Sequence, residues 1–319
     1  MSKGFFARTA SGLALSGALT VAAAGGAIAQ SYPEQPIKVI VPFAAGGQGD
    51  VMARLVIQRI EEMELLDQPM VVVNVPGGAA TIGMRQAKNA KADGYTLLYI
   101  HQTMMTAELM GTLDFKYSDM VPVAETNNSC LLTATAEGSG IADAQDWIAQ
   151  TKAAPNAVKE ATLVGSIAHF TTAMFAKAAD IQVGYVNAGG GADRIASILG
   201  NHTKTAVVVA TPVVRNPKLS ALVYYGEERH PELPDTPTAK ELGYDVVSCL
   251  DNIWYAPAGT PADIVDTLAA VFEQATSDPQ LIETIEAKGD EVVFSSGADL
   301  TARLAAIYED LAAVSGALR

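Results

Sequence analysis

Val39-Ile-Val-Pro-Phe-Ala-Ala-Gly-Gly-Gln-Gly-Asp50, followed directly by Val51-Met-Ala-Arg-Leu55, decides how this chain is read. A short apolar run rich in β-branched residues stops at a glycine turn, and a helical pattern begins straight after it. The stretch predicts a strand, a tight loop and a helix N-terminus. Free N–H groups and the positive end of the helix dipole favour an anion at such a junction.

The same alternation runs outward. Ile37 to Val41 predicts a strand, about Gly47 to Glu62 a helix, Met70 to Val75 a strand, Thr81 to Asn89 a short helix and Tyr95 to Ile100 a third strand. Further on, Ala161 to Val164, Val183 to Val186, Thr205 to Val209 and Ala221 to Tyr225 read as strands, with helices over His169 to Ala179 and Asp193 to Leu199. Strands separated by helix-length segments predict parallel pairing through right-handed crossovers. The C-terminal part is helical. Thr260-Pro261-Ala262-Asp263 reads as a helix start with Thr260 as N-cap, and Asp278-Pro279 breaks that helix and caps the next. Leu300, Leu304, Ile307 and Leu311 form a last apolar stripe, read as core packing.

Residues 1–29 have the three parts of a secretory signal: Lys3 and Arg8, an apolar stretch from Gly12 to Ala24, and small residues at Ala27-Ile28-Ala29. Cleavage is expected near Ala29, which places the mature chain in the periplasm. The apolar stretch is short and broken by glycine, too weak for a spanning helix. The whole chain has 319 residues, 21 basic and 35 acidic, for a formal charge of −14. Losing the leader removes Lys3 and Arg8 and no acid, so the mature chain is more acidic still. Such a surface repels nucleic acid and anionic lipid, yet allows a small anion held at close range by loop amides. The mature length suits two lobes of ordinary domain size. Cys130 and Cys249 permit a disulfide in an oxidising compartment, or serve as two buried thiols.

Catalytic signatures are missing from the sequence. It contains no G-x-S-x-G elbow, no P-loop and no H-E-x-x-H. Gly47-Gln48-Gly49 is followed by Met52 where a dinucleotide fingerprint needs glycine. His101, His169, His202 and His230 are scattered, without metal-site spacing, and neither metal nor cofactor is expected. Ser166 and His169 stand three residues apart, the one pairing a secreted hydrolase would use, with no third member identified. The chain reads as a binding protein, not an enzyme.

At this point the motifs resemble a known family. Tyr32-Pro33, Pro36-Ile37-Lys38-Val39-Ile40-Val41-Pro42-Phe43, Gly46-Gly47, Asp50 and Ala53-Arg54 are similar to the start of mature receptors of the tripartite tricarboxylate transporters, also called Bug proteins. The likeness continues in order through Asn74-Val75-Pro76-Gly77-Gly78, Ile82-Gly83, Asp93-Gly94-Tyr95-Thr96-Leu97-Leu98 and Gly165-Ser166-Ile167-Ala168-His169. It ends with Leu233-Pro234-Asp235-Thr236-Pro237-Thr238 and Ala256-Pro257-Ala258-Gly259-Thr260-Pro261. The resemblance implies an α/β, two-lobed periplasmic binding protein of type II-like architecture, each lobe a mainly parallel sheet flanked by helices, with two hinge crossings. The crossings are placed near Pro122 to Leu131 and Val246 to Trp254, which divides the chain into residues 30–125 plus 250–319 and residues 126–249. One cysteine falls in each crossing, so a Cys130–Cys249 disulfide would staple the hinge. The implied partners are a small carboxylate and the large and small membrane subunits of the transporter, with the receptor itself a monomer. A receptor that feeds a signalling protein instead would need the same closure.

Carried over residue by residue, the resemblance implicates two glycine loops whose backbone holds a carboxylate: Phe43, Ala44, Gly46 and Gly47 in the first, Gly77, Gly78 and Ala79 in the second. From the other lobe it implicates Ser166, whose hydroxyl can donate, with Ala168 and with His169, a donor or a helix-capping or packing histidine. Gly189 and Gly190 belong to the fourth loop, where many relatives have a bulkier or basic residue near Ala188 and Gly189, and its absence here leaves more space or more exposed backbone; Asp193 suits the first turn of the next helix. His101 and Gln102 replace small hydroxyl residues of the relatives and reach a ligand's distal end. Thr211 occupies another cleft-facing position of the family. Asp251 either faces the cleft, where it suits an amino group or hydroxyl, or caps a turn.

Overall fold

The computed structural model describes residues 32–316 together with residues 1, 4 and 318, so apart from residues 1 and 4 the leader lies outside the described residues. The elements belong to the compact unit Pro33–Arg319. Strands β1 (Ile37–Val41), β2 (Met70–Asn74) and β3 (Thr96–Ile100) alternate with helices α1 (Gln48–Glu62), α2 (Thr81–Lys88) and α3 (Thr103–Leu109). A long strand, β4 (Met120–Ala136), and helix α4 (Ala144–Ala153) lead into a second alternation. It comprises β5 (Lys159–Thr162), α5 (Ile167–Ala179), β6 (Gly184–Asn187), α6 (Gly191–Leu199), β7 (Thr205–Val209), α7 (Thr211–Val214) and β8 (Leu219–Tyr224). The chain then returns through β9 (Cys249–Pro257), α8 (Ala262–Thr276), α9 (Pro279–Glu286), β10 (Glu291–Ser296) and α10 (Gly297–Ser315).

The parallel pairing read from the alternation is present: β1 pairs with β2 and β3, and β5 with β6 and β7, all parallel. β1 is buried along nearly its whole length, as a central parallel strand with both faces covered must be. Strand β4 carries both sheets. From Met120 to Cys130 it pairs antiparallel with β9, and around Ala124 to Asn128 with β10. From Leu131 onward its partners are β7 and β8. The change of partners falls where Cys130 opposes Cys249, and the two are joined as a disulfide.

Strand direction then determines where the loops lie. β3 is antiparallel to β9 and β9 to β4, so β1, β2 and β3 run the same way as β4. β7 is antiparallel to β4, so β5, β6 and β7 run the opposite way. The C-terminal edges of the two parallel sets therefore point toward each other across the middle of β4. A continuous cluster of buried apolar side chains, including Ile40, Met104, Phe170, Val207 and Leu304, joins the two halves beneath them.

One capping expectation is corrected. Helix α8 begins at Ala262 with Pro261 at its N-cap, and the Thr260 hydroxyl donates backward to the Pro257 carbonyl, because Pro261 already holds the turn that a capping hydroxyl would hold. Asp278 does cap α9, accepting from the amides of Gln280 and Leu281.

Candidate functional site

The first row of loops follows β1, β2 and β3, which lie side by side in the order β2-β1-β3. After β1, buried Asp50 on α1 organises the glycine turn. Its carboxylate accepts from the Gly46 amide at 2.8 Å, from Arg54 Nε at 2.9 Å and from Asn74 Nδ2 at 2.9 Å. Burial alone would raise this carboxyl, but the bonds from Arg54, Gly46 and Asn74 hold it below the usual carboxylate range. Asn74 also donates to the Phe43 carbonyl, and the Gly47 amide to the Ala44 carbonyl. The amides of Gly46 and Gly47 thus shape the turn rather than face outward. The Ala44 amide has no acceptor among the described residues, and the first-turn amides of α1 lack intrahelical acceptors as at any helix start.

After β2 the chain makes an unusual turn, with Gly77, Gly78, Ala79 and Ala80 all at positive φ. Two of these are alanines, for which that region is sparsely populated. A Cβ on Gly77, at φ +116°, would stand 2.8 Å from Ile82 Cδ1. Consecutive amides in such a turn form an anion-binding concavity. After β3, the His101 ring stacks on Phe43 with centroids 5.1 Å apart, tying the third loop to the first. His101 Nδ1 accepts from the Thr103 amide at 3.4 Å, which leaves the proton on Nε2. Burial and the charge of Arg194 hold this histidine down to about 3, so it is neutral. Gln102 turns toward the hinge, its side-chain oxygen accepting from the Asp251 amide at 3.1 Å. Thr103 Oγ1 is buried without a partner among the described residues.

The second row follows β5, β6 and β7. At the start of α5 the Ser166 hydroxyl is buried, does not cap its own helix and has no hydrogen-bond partner among the described residues. His169 does not bond it. Its Nδ1 accepts from the Gly165 amide at 3.2 Å, its ring packs edge-on against Tyr185 at 4.4 Å, and burial lowers it to about 4. The Ser–His contact that an activated nucleophile requires is therefore not made. Ala168 is buried in the first turn of α5. After β6, Asp193 in the first turn of α6 accepts from the Gly190 amide at 3.0 Å, so that amide also faces inward. Gly189, at φ +82°, is where a Cβ would meet Asp193 Oδ2 at 2.7 Å. After β7, the Thr211 hydroxyl donates to the Lys288 carbonyl, joining α7 to the segment before β10.

Asp251 is placed on the hinge, not on the loops. Its carboxylate pairs with Arg303 at 2.9 Å, and Arg303 also holds the fully buried Glu125 at 2.6 Å. A cavity of about 1320 Å³ opens on this side, lined by Gln102, Asp251, Arg303 and the disulfide, and none of the glycine loops contributes to it. The cavity meets the loop rows only at Gln102 and at Ile167 at the start of α5. Among the described residues no cluster of three or more His, Cys, Asp or Glu side chains could hold a metal ion. Asp50 stands in the family-like motif, but its part in shaping the glycine turn was missed from sequence, because no motif shows which amide a first-turn acid accepts from.

Two parallel strand sets whose loops face each other across a shared strand define a two-lobed solute-binding protein of the periplasmic type. A family model described as tripartite tricarboxylate transporter family receptor matches residues 52–313. Protein BugT of Bordetella pertussis (strain Tohama I) is 30% identical over 279 residues, covering 84% of each chain. The structure of the periplasmic binding protein BugD superposes with a TM-score of 0.80 at 25% identity, covering 90% of this chain and 98% of that one. MatC from Rhodopseudomonas palustris with bound malate shares the fold, with a TM-score of 0.77 at 22% identity over 90% of this chain and 100% of its own. The chain belongs to the tripartite tricarboxylate transporter receptor family, as its ordered motifs indicate.

Proposed function

We propose that this chain is an extracytoplasmic receptor that closes over a small organic carboxylate and delivers it to the large and small membrane subunits of a tripartite tricarboxylate-type transporter. The observation that carries this reading is the pair of facing loop rows, with the buried hydroxyls of Ser166 and Thr103 left without partners. A buried polar group in that condition is costly, and a carboxylate in a cleft needs such donors to replace its water. No bond is made or broken in this function. Residues 30–125 with 250–319 form one lobe and residues 126–249 the other, the leader directs export, and the receptor acts as a monomer. A ligand touching both rows binds the closed form more tightly than the open one and shifts the population toward it. MatC, of the same fold, has malate bound in its structure.

A thermal-shift screen of the mature chain over mono-, di-, hydroxy-, keto- and aromatic carboxylic acids tests the reading. A true ligand at a hundred times its Kd adds roughly 2.7 kcal/mol and raises the melting temperature visibly. A flat profile across all classes overturns it.

A further inference from the structure

The two halves are joined by the crossing strands β4 and β9 and by a third contact with no covalent link. Strands β9 and β10 take opposite edges of β4 over Ala124 to Asn128, and β7 and β8 take opposite edges beyond Leu131. The Leu131 amide donates to the Ser248 carbonyl at 3.0 Å, and the Leu131 carbonyl accepts from the Tyr225 amide at 2.8 Å. β8 therefore continues the edge that β9 occupies, and β7 shares the other edge with β10. On that shared edge β7 ends at Val209, opposite Leu131, and β10 begins at Glu291, opposite Asn128. Here the two strand ends meet. The Thr211 hydroxyl donates to the Lys288 carbonyl. Gly289, at φ +79°, approaches so closely that a Cβ on it would stand 3.1 Å from Thr211 Oγ1 and 3.4 Å from His230 Nε2. His230 is buried, accepts from the Glu232 amide at 3.2 Å and packs edge-on against Tyr224. On the far side, Gln48 of α1, next to the first glycine turn, donates to Asp290 Oδ2 at 3.3 Å. The loop rows also touch in this conformation: a Cβ on Gly165 would lie 3.7 Å from Met110 Cγ at the end of α3.

We infer that Thr211 and the segment Lys288–Asp290 form a releasable third tie of the hinge, engaged when the loop rows meet and broken when they part. The inference rests on the lobe closure of the receptor reading above, and on no particular ligand. Rotation about β4 and β9 leaves those strands and their disulfide intact, whereas the ends of β7 and β10 belong to different halves and must separate or slide. A single hydrogen bond and one close backbone approach hold them, a contact weak enough to break in every cycle. Thr211 is thus a positioning residue, its hydroxyl occupied by the other half of the protein. Gln48 links the first glycine turn to the same segment, so ordering that turn also favours the engaged tie.

Double electron–electron resonance on the mature protein without ligand tests this. Spin labels go on Lys91→Cys and Lys218→Cys, exposed positions that precede β3 and β8 at the far ends of the two halves. Both native cysteines are bridged, so only the introduced ones take label. Wild type is expected to show a short-distance population. Thr211→Val is expected to move the short-to-long ratio roughly 5-fold toward long distances, the scale of one lost hydrogen bond. Gly289→Ala, whose Cβ enters the gap, should move it the same way, and Thr211→Ser, which keeps the hydroxyl, should match wild type. A distribution that neither Thr211→Val nor Gly289→Ala changes overturns the inference. So does a Thr211→Ser shift as large as that of Thr211→Val, which would mark packing alone, or a wild type with long distances only. A flat acid screen would overturn the receptor reading and leave these distances unaffected, so the two failures are distinguishable.

Discussion

Ser166 shows how one side chain divides a binding role from a folding role. The residue is 7% exposed and its buried hydroxyl bonds to nothing among the described residues, so removing it deletes no internal interaction. Ser166→Ala is expected to weaken ligand binding by about 1 kcal/mol, several-fold in Kd, while the unliganded melting temperature stays level or rises slightly. Calorimetry with the best ligand of the acid screen reads the first effect, and an unchanged Kd removes Ser166 from the site. Gly77 gives the opposite pattern. Gly77→Ala forces a Cβ into φ +116° and against Ile82, and roughly 1–3 kcal/mol of stability should be lost, read from the denaturant midpoint. The place of Ser166 at the start of α5 was legible in the sequence because a glycine turn between a strand and a helical pattern is a recognisable position. The unpartnered state of its hydroxyl was not, since the sequence shows a polar group but not whether a partner lies within reach. The roles of Gly46, Gly47 and Gly190 were hidden for a related reason: a glycine turn announces available amides, and only the placement of Asp50 and Asp193 reveals which are already bonded.

At the scale of elements, the regular strand–helix units were legible because each combines an apolar run with a glycine or proline stop. The hinge strand was not. β4 contains Pro122 beside a register shift and then the polar run Glu125, Thr126, Asn127 and Ser129, all buried. That run reads as a crossing, not as the centre of a sheet. It is tolerated because Thr126 accepts from the Trp254 indole at 3.0 Å, Asn127 from the Tyr99 hydroxyl at 2.7 Å, and Glu125 pairs with Arg303. Long-range partners of this kind leave no local trace, and β10, whose register on β4 is broken by a bulge, escaped for the same reason. The disulfide lies where β4 changes sheets and closes a loop with a sequence separation of 119. In the chain-entropy model a loop of that size stabilises the fold by about 5 kcal/mol. The Cys130→Ala/Cys249→Ala double variant should unfold at a correspondingly lower denaturant concentration. A midpoint equal to wild type would show that the bridge contributes no net stability.

For the whole molecule, the buried acids determine how stability responds to pH. Burial pushes Glu160 from its ordinary 4.5 up to about 7, and Asp290 from 3.8 up to about 7, the latter against the bond from Gln48. Burial and the nearby Asp251 charge raise Glu125 as well, with Arg303 opposing. Each of these groups binds its proton more tightly folded than unfolded. Their favourable contribution is therefore complete below about pH 4 and is lost as the pH climbs through the window to about 7, beyond which it no longer changes. Asp50 and Asp278, held below the usual range, act in the other direction, but only as the pH falls past their ordinary values. His101 and His169, lowered to about 3 and about 4, oppose the raised acids, because the unfolded chain takes up their protons as the pH falls below about 6.5. The opposing sets leave stability changing little below about pH 6.5, and the melting temperature should decline between about pH 6.5 and 7.5, where only the raised acids still titrate. Glu160→Gln, which keeps the acceptor for Thr172 but cannot ionise, should flatten part of that decline while preserving the fold. Thermal melts at constant ionic strength decide it: a melting temperature that climbs between about pH 6.5 and 7.5, above the histidine window, would mean that these carboxyls are ionised and paired in the folded chain, contrary to their burial.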